Sequence, residues 1–125
     1  MRREERLRII YEKLAGMMQN RKPDVVGVEK LFFNRNVTTA MTVSEARGVI
    51  LLAAEMNGVP IVELTPLQVK QAVVGYGQAT KEQVIYMTQR LLCLGQKPTP
   101  DDAADALAIA ICTAHSGSVE KAWRS

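Results

Sequence analysis

Asp101, Asp102 and Asp105 crowd the start of "TPDDAADALAIAI", a stretch that otherwise reads as a very apolar helix. Two chemistries account for acids in that place. Thr99 as a cap, Pro100 at the first helical position and first-turn aspartates all suit the positive end of a helix dipole. The other chemistry is a divalent-cation site. Asp102 and Asp105 are spaced i, i+3, share one face, and repel each other by a few tenths of a kcal/mol. A face leading into "ALAIAI" gains nothing from that repulsion. Glu29 closes the apolar run "VVGVE", where the preceding positions are valine or glycine. Ligands of open α/β sheets gather outside the carboxyl ends of strands. A strand-end Glu with two helix-borne Asp therefore forms a set of hard oxygen donors of the kind Mg²⁺ takes while keeping waters for substrate phosphate. Two such ions about 4 Å apart activate a water and steady a leaving oxygen. No spacing rule joins Glu29 to the distant Asp pair, so capping and metal binding both stand at this point. Glu63 also ends an apolar run, but it alternates with Val62 and Leu64 and points to the other face.

These residues need elements to hold them. Leu7, Ile10, Tyr11, Leu14, Met17 and Met18 recur at helical spacing and predict a helix over 4–20, ended by Pro23. "VVGVE" is a buried strand, and "KLFFNRNVTTA" after it is mostly loop. A helix over 39–57, stopped by Gly58, is apolar round much of its girth and is buried on several sides, by a second subunit among others. "VPIVELT" is the second strand. Thr65 and Pro66 open another helix, Thr80 with Gln83 opens one reaching about Leu94, and the last runs over 101–115. Met17, Met18, Met56 and Met87 read as core. The order is α/β, with only two strands in a thin sheet.

The gross numbers agree with one domain. The 125 residues are 47% hydrophobic and 23% charged, with a net charge of +3, so a real core is available and a nucleic-acid partner is permitted. Cys93 and Cys112 are too few for a disulfide framework and lack metal spacing, which fits a reducing cytoplasm. No apolar run reaches the roughly 18 residues of a membrane span, and "MRREER" opens no signal segment.

Four ordered blocks, "KPDVVGVEKLFFNRN", "EARGVILLAA", "TPLQVKQAVVGYGQATKEQV" and "DAADALAIAIC", resemble the RuvC-type Holliday junction resolvases over about residues 6–116. The resemblance implies a ribonuclease H-like fold and a homodimer that cuts opposed strands of a four-way DNA junction with Mg²⁺ or Mn²⁺. It implies that Glu29, Asp102 and Asp105 are three of four catalytic, metal-holding carboxylates, with Asp101 left as a cap. The family's first carboxylate sits on an N-terminal strand with a Gly-Ile-Asp-Pro-Gly type motif, which these 125 residues do not carry. The expectation is a single resolvase domain over 1–125, N-terminally truncated, its helices packed on a reduced sheet, and impaired in cleavage.

The same match gives DNA-binding roles. Lys70 in "QVK" and Lys81 in "ATK" lie near the scissile phosphate, where cations neutralise phosphate and developing charge. Without the match they read as solvated lysines. Phe32 stacks on an unpaired base while Phe33 anchors the loop. Arg35, and more weakly Lys30, hold nearby phosphates, and Asn36 matches without an assignable role. Gly75 and Gly77 read as a flexible turn rather than a phosphate cradle. Arg47 and Gly48 read as packing or dimer seam, and His115 as a helix-end charge. A junction-resolving nuclease subunit, dimeric through the 39–57 helix and served by a branch-migration helicase, competes with a non-catalytic dimeric junction-binding module.

Overall fold

Helices carry most of the chain. The computed structural model describes residues 1–30 and 37–124. Its elements are α1 (Arg3–Arg21), β1 (Val26–Glu29), α2 (Val37–Met56), β2 (Ile61–Leu64), α3 (Pro66–Val74), α4 (Lys81–Leu91) and α5 (Asp101–Arg124). β1 and β2 form a two-stranded sheet. The Val26 N–H donates to the Pro60 carbonyl at 2.9 Å and the Lys30 N–H to the Leu64 carbonyl at 2.7 Å. The sequence offset is the same at both ends, so the strands are parallel, and α2 is the crossover such a pair requires. Among the described residues no helix is long and apolar enough to cross a membrane.

The residues gather into two compact units. In the first, α1 packs on α2. Met18 of α1 meets Ala53 and Ala54 of α2 and Val59, with Tyr11, Leu14, Val26 and Ile61 against them. Two alanines with no exposed surface let the helices approach closely. The Tyr11 hydroxyl donates to the Met56 sulfur at 3.2 Å, and Arg3 meets Glu45 at 3.5 Å.

The second unit holds α3, α4, α5 and the C-terminal ends of both strands. Two capping boxes start its helices as the sequence predicts. The Gln68 N–H donates to the Thr65 hydroxyl at 3.1 Å and the Gln83 N–H to the Thr80 hydroxyl at 3.2 Å. Each glutamine side chain accepts from its cap's backbone at 2.8 Å. Leu64, Val69, Val73, Ala108 and Cys112 form the core, covered by Val62, Val84, Met87 and Ile109 among others.

Three expectations need correction. Met17 and Met56 are 60% and 66% exposed, not core. Met17 lies about 100° round the helix from Met18, off the stripe that meets α2. Met56 stands at the last turn of α2, where the apolar pattern outruns the surface available to cover it. The last helix passes His115 and continues to Arg124, because Gly117 weakens a helix without breaking it and good helix formers follow. Pro100 precedes α5 instead of opening it: its carbonyl accepts from Ala103 at 2.9 Å and from Ala104 at 3.3 Å.

Candidate active site

Glu29 is the last residue of β1, at its carboxyl end, and is half-buried. What brings that strand end against α5 is an absence of side chain. A Cβ added at Gly27 would fall 1.8 Å from the Thr113 hydroxyl oxygen and 2.9 Å from its Cβ. Thr113 is buried and its hydroxyl donates to the Ile109 carbonyl at 2.7 Å, so it does not swing away freely. Glycine inside a strand marks such a close approach. Gly27→Ala is expected to destabilise the protein by about 1–3 kcal/mol through overpacking. Gly27→Ala with Thr113→Gly should regain part of the loss in urea unfolding.

Two turns before Thr113 on the same helix stands Asp105. Glu29 and Asp105 line one cavity of about 270 Å³ together with Lys70 of α3 and Lys81 of α4. Pro66, Val69, Val84, Ala108 and Ile109 form its apolar walls. Lys81 is the first residue of α4, held in place by the capping box one residue before it. Burial pushes the Glu29 carboxyl above its ordinary value, and the neighbouring Asp105 carboxylate raises it further.

The sequence-predicted residues therefore divide. Glu29, Asp105, Lys70 and Lys81 come together in the cavity. Asp102 is exposed on α5, three residues nearer its start, and is not among the cavity walls. Glu63 is exposed on β2 and is also outside the lining. His115 lines a separate apolar groove with Leu91, Leu92 and Leu107. Phe32, Arg35 and Asn36 lie outside the described residues. Gly27 and Thr113 were missed as a pair, although a glycine within "VVGVE" was itself the signal.

Among the described residues, no group of three or more His, Cys, Asp or Glu is placed to hold a metal ion. The pair fits a divalent cation nonetheless. Mg²⁺ is commonly held by one or two carboxylates, its remaining positions filled by water and substrate phosphate. A cation at the same place would relieve both the burial and the Asp105 charge that push the Glu29 carboxyl up. Flanking lysines then suit a phosphate oxygen.

A family model described as crossover junction endodeoxyribonuclease RuvC matches residues 1–113. The chain is 57% identical over 112 residues to the crossover junction endodeoxyribonuclease RuvC of Desulfitobacterium hafniense (strain DSM 10664 / DCB-2), covering 90% of this chain and 68% of that protein. Against the protein of the same name in Clostridioides difficile (strain 630) it is 53% identical over 120 residues, covering 96% and 71%. The structure of Thermus thermophilus RuvC superposes with a TM-score of 0.88 at 38% identity, covering 96% of this chain and 72% of that one. That of T. thermophilus RuvC in complex with Holliday junction substrate gives 0.90 at 38% identity, covering 96% and 73%. The α/β architecture expected from the sequence is thus the fold of these neighbours.

Proposed function

Because this chain belongs to the RuvC family of crossover junction endodeoxyribonucleases, we propose that it is a subunit of a structure-specific nuclease acting on four-way DNA junctions in recombination and repair. The observation that carries the reading is the cavity where Glu29 and Asp105 face Lys70 and Lys81. A phosphodiester has the charge and size for that combination. Lys70 and Lys81 bind the non-bridging oxygens of the scissile phosphate. Glu29 and Asp105 would hold Mg²⁺ or Mn²⁺, with Asp102 available one turn toward the helix start. A bound divalent ion would supply charge neutralisation and a water of lowered pKa. The apolar walls limit water access to the reacting phosphate. The reaction is hydrolysis: water adds to phosphorus, the bond to the 3′ oxygen breaks, and a 5′-phosphate and a 3′-hydroxyl result.

Two opposed strands of a junction call for two sites, and we place the dimer seam on α2. Met41, Leu52 and Met56 on that helix are 56%, 52% and 66% exposed, an apolar surface suited to a second copy. Phe32 and Arg35 are proposed to meet the junction's unpaired bases and its backbone. The reading puts the protein in the cytoplasm with bacterial DNA, beside a branch-migration helicase.

A second reading has one specific observation in its favour. Among the described residues two carboxylates line the cavity and no group of three is placed to hold a metal ion, which favours junction binding over fast cleavage. One assay separates the two. Labelled four-way junction and linear duplex of the same sequence are titrated with the chain over a salt series, then Mg²⁺ is added. Binding should prefer the junction by roughly tenfold or more and weaken steeply with salt. Equal affinity for both DNAs would overturn both readings. Slow or absent nicking supports the binding module, and robust turnover supports the nuclease.

A further inference from the structure

Lys81 stands at a place its own helix disfavours. It is the first residue of α4, and a cation there faces the positive end of the helix dipole. It nevertheless lines the cavity with Glu29, Asp105 and Lys70. Residues 80–83 are all exposed, so this first turn leans little on the core, whereas Ala79 before it and Ile85 after it are buried. A complete capping box ties the turn instead. The Gln83 N–H donates to the Thr80 hydroxyl at 3.2 Å, and the Thr80 N–H donates to the Gln83 side chain at 2.8 Å. Such a box is no requirement for starting a helix in this chain. The 19 residues of α1 follow Arg2, which makes no side-chain cap bond.

Helix ends fray because their first N–H groups lack intrahelical partners. In α4, a helix of 11 residues, the turn that frays first is the one that carries Lys81. A frayed turn spreads the ammonium over many positions, and a phosphate must then order it on binding. A tied turn has met that ordering cost before the DNA arrives. A phosphate seated at Lys81 meets the ammonium and the helix end together, each with the sign it favours. The unfavourable placement of Lys81 is thus offset when an anion is bound. We propose that Thr80, with Gln83, is a positioning residue, whose capping box holds the first turn of α4 so that Lys81 meets a junction phosphate at a preset place. This rests on the junction-binding reading and deepens it, because it names what orders one of the cations that grip the DNA backbone.

The test is a double-mutant cycle on the full 125-residue chain, binding a four-way junction over a salt series without divalent metal. Lys81→Ala should make the slope of log K against log salt shallower by about 0.9, the loss of one phosphate contact. Thr80→Ala should weaken junction binding by about threefold and move the slope the same way. In the Lys81→Ala background, Thr80→Ala should change the affinity by less than about 1.5-fold. Its melting temperature should meanwhile fall by about 3–6 °C in both backgrounds, since the lost cap is the same. Thr80→Ser keeps the hydroxyl and should match wild type in affinity and melting temperature. Gln83→Ala, which breaks the other half of the box, should follow Thr80→Ala at smaller size. Three outcomes overturn the positioning role while the junction reading stands: an equal loss of affinity in both backgrounds, a fall in melting temperature with affinity and slope unchanged, or a loss shared by Thr80→Ser. If the wild type does not prefer the junction over linear duplex, the reading beneath falls and takes this inference with it.

Discussion

Glu29→Gln is expected to lower the affinity of the chain for Mn²⁺ by about 100-fold or more, and at the same time to raise its melting temperature at neutral pH. The first half follows from removing an anionic ligand outright; losing even a supporting residue behind a metal ligand costs about 10–100-fold. The second half follows from the raised pKa of Glu29. Its carboxyl holds a proton more tightly in the folded chain than in the unfolded one, whose ordinary value is 4.5. Below pH 4.5 both states are protonated and the fold gains whatever the neutral group offers. As pH rises through the folded value the group must ionise in a poor environment, and that stability is lost. Glutamine never ionises, so the gain in melting temperature should be present at pH 7.5 and absent at pH 4. Asp105→Asn should give a smaller gain, since burial is the larger cause of the shift and Asp105 the smaller. Thermal unfolding at the two pH values with and without Mn²⁺ reads all of this. A melting temperature that falls for Glu29→Gln at pH 7.5 would mean that the carboxylate supports the fold, and the metal assignment would lose its basis.

Glu29 and Asp105, which line one cavity, stood out as candidates in the sequence for a local reason. Each breaks a local rule in the sequence: an acid at the end of a buried strand, and an acid leading into an apolar helix face. Sequences that break such rules do so most often at functional sites. Asp102 shows where the reasoning stops. The i, i+3 spacing places it on the same helical face as Asp105, but about 4.5 Å nearer the helix start, and the cavity walls include Asp105 and not Asp102. Helical periodicity resolves an angle about the axis; it does not resolve which turn a tertiary pocket reaches. Lys70 and Lys81 were silent for a different reason. A lysine on a helix has the same local pattern whether it meets water or a phosphate, and only the resemblance singled them out. The fold divides in the same way. Thr65–Gln68 and Thr80–Gln83 announced their helices because a capping box is written within four residues. The exposure of Met17 and Met56 depends on how much surface another element covers, and no local pattern carries that.

Replacing Lys70 and Lys81 together by alanine is the second large effect. Double-stranded DNA binding loses about 0.9 in the slope of log K against log salt for each phosphate contact removed. The double variant should therefore bind a four-way junction with a slope shallower by about 2, and more weakly by about 100-fold at low salt. Lys97, exposed and outside the cavity walls, is the control: Lys97→Ala should change the slope by less than half as much as either single variant. The carboxylates make the test sharper, because they and the lysines act on the same phosphate with opposite sign. Without divalent metal, Glu29 and Asp105 repel the phosphate that Lys70 and Lys81 attract, so Glu29→Gln should tighten junction binding several-fold. With Mn²⁺ present the wild-type carboxylates recruit a cation to that phosphate, and the same substitution should weaken binding. A purely structural role for Glu29 predicts a change of one sign in both conditions. A reversal between them requires that Glu29, the cation and the DNA backbone share one place.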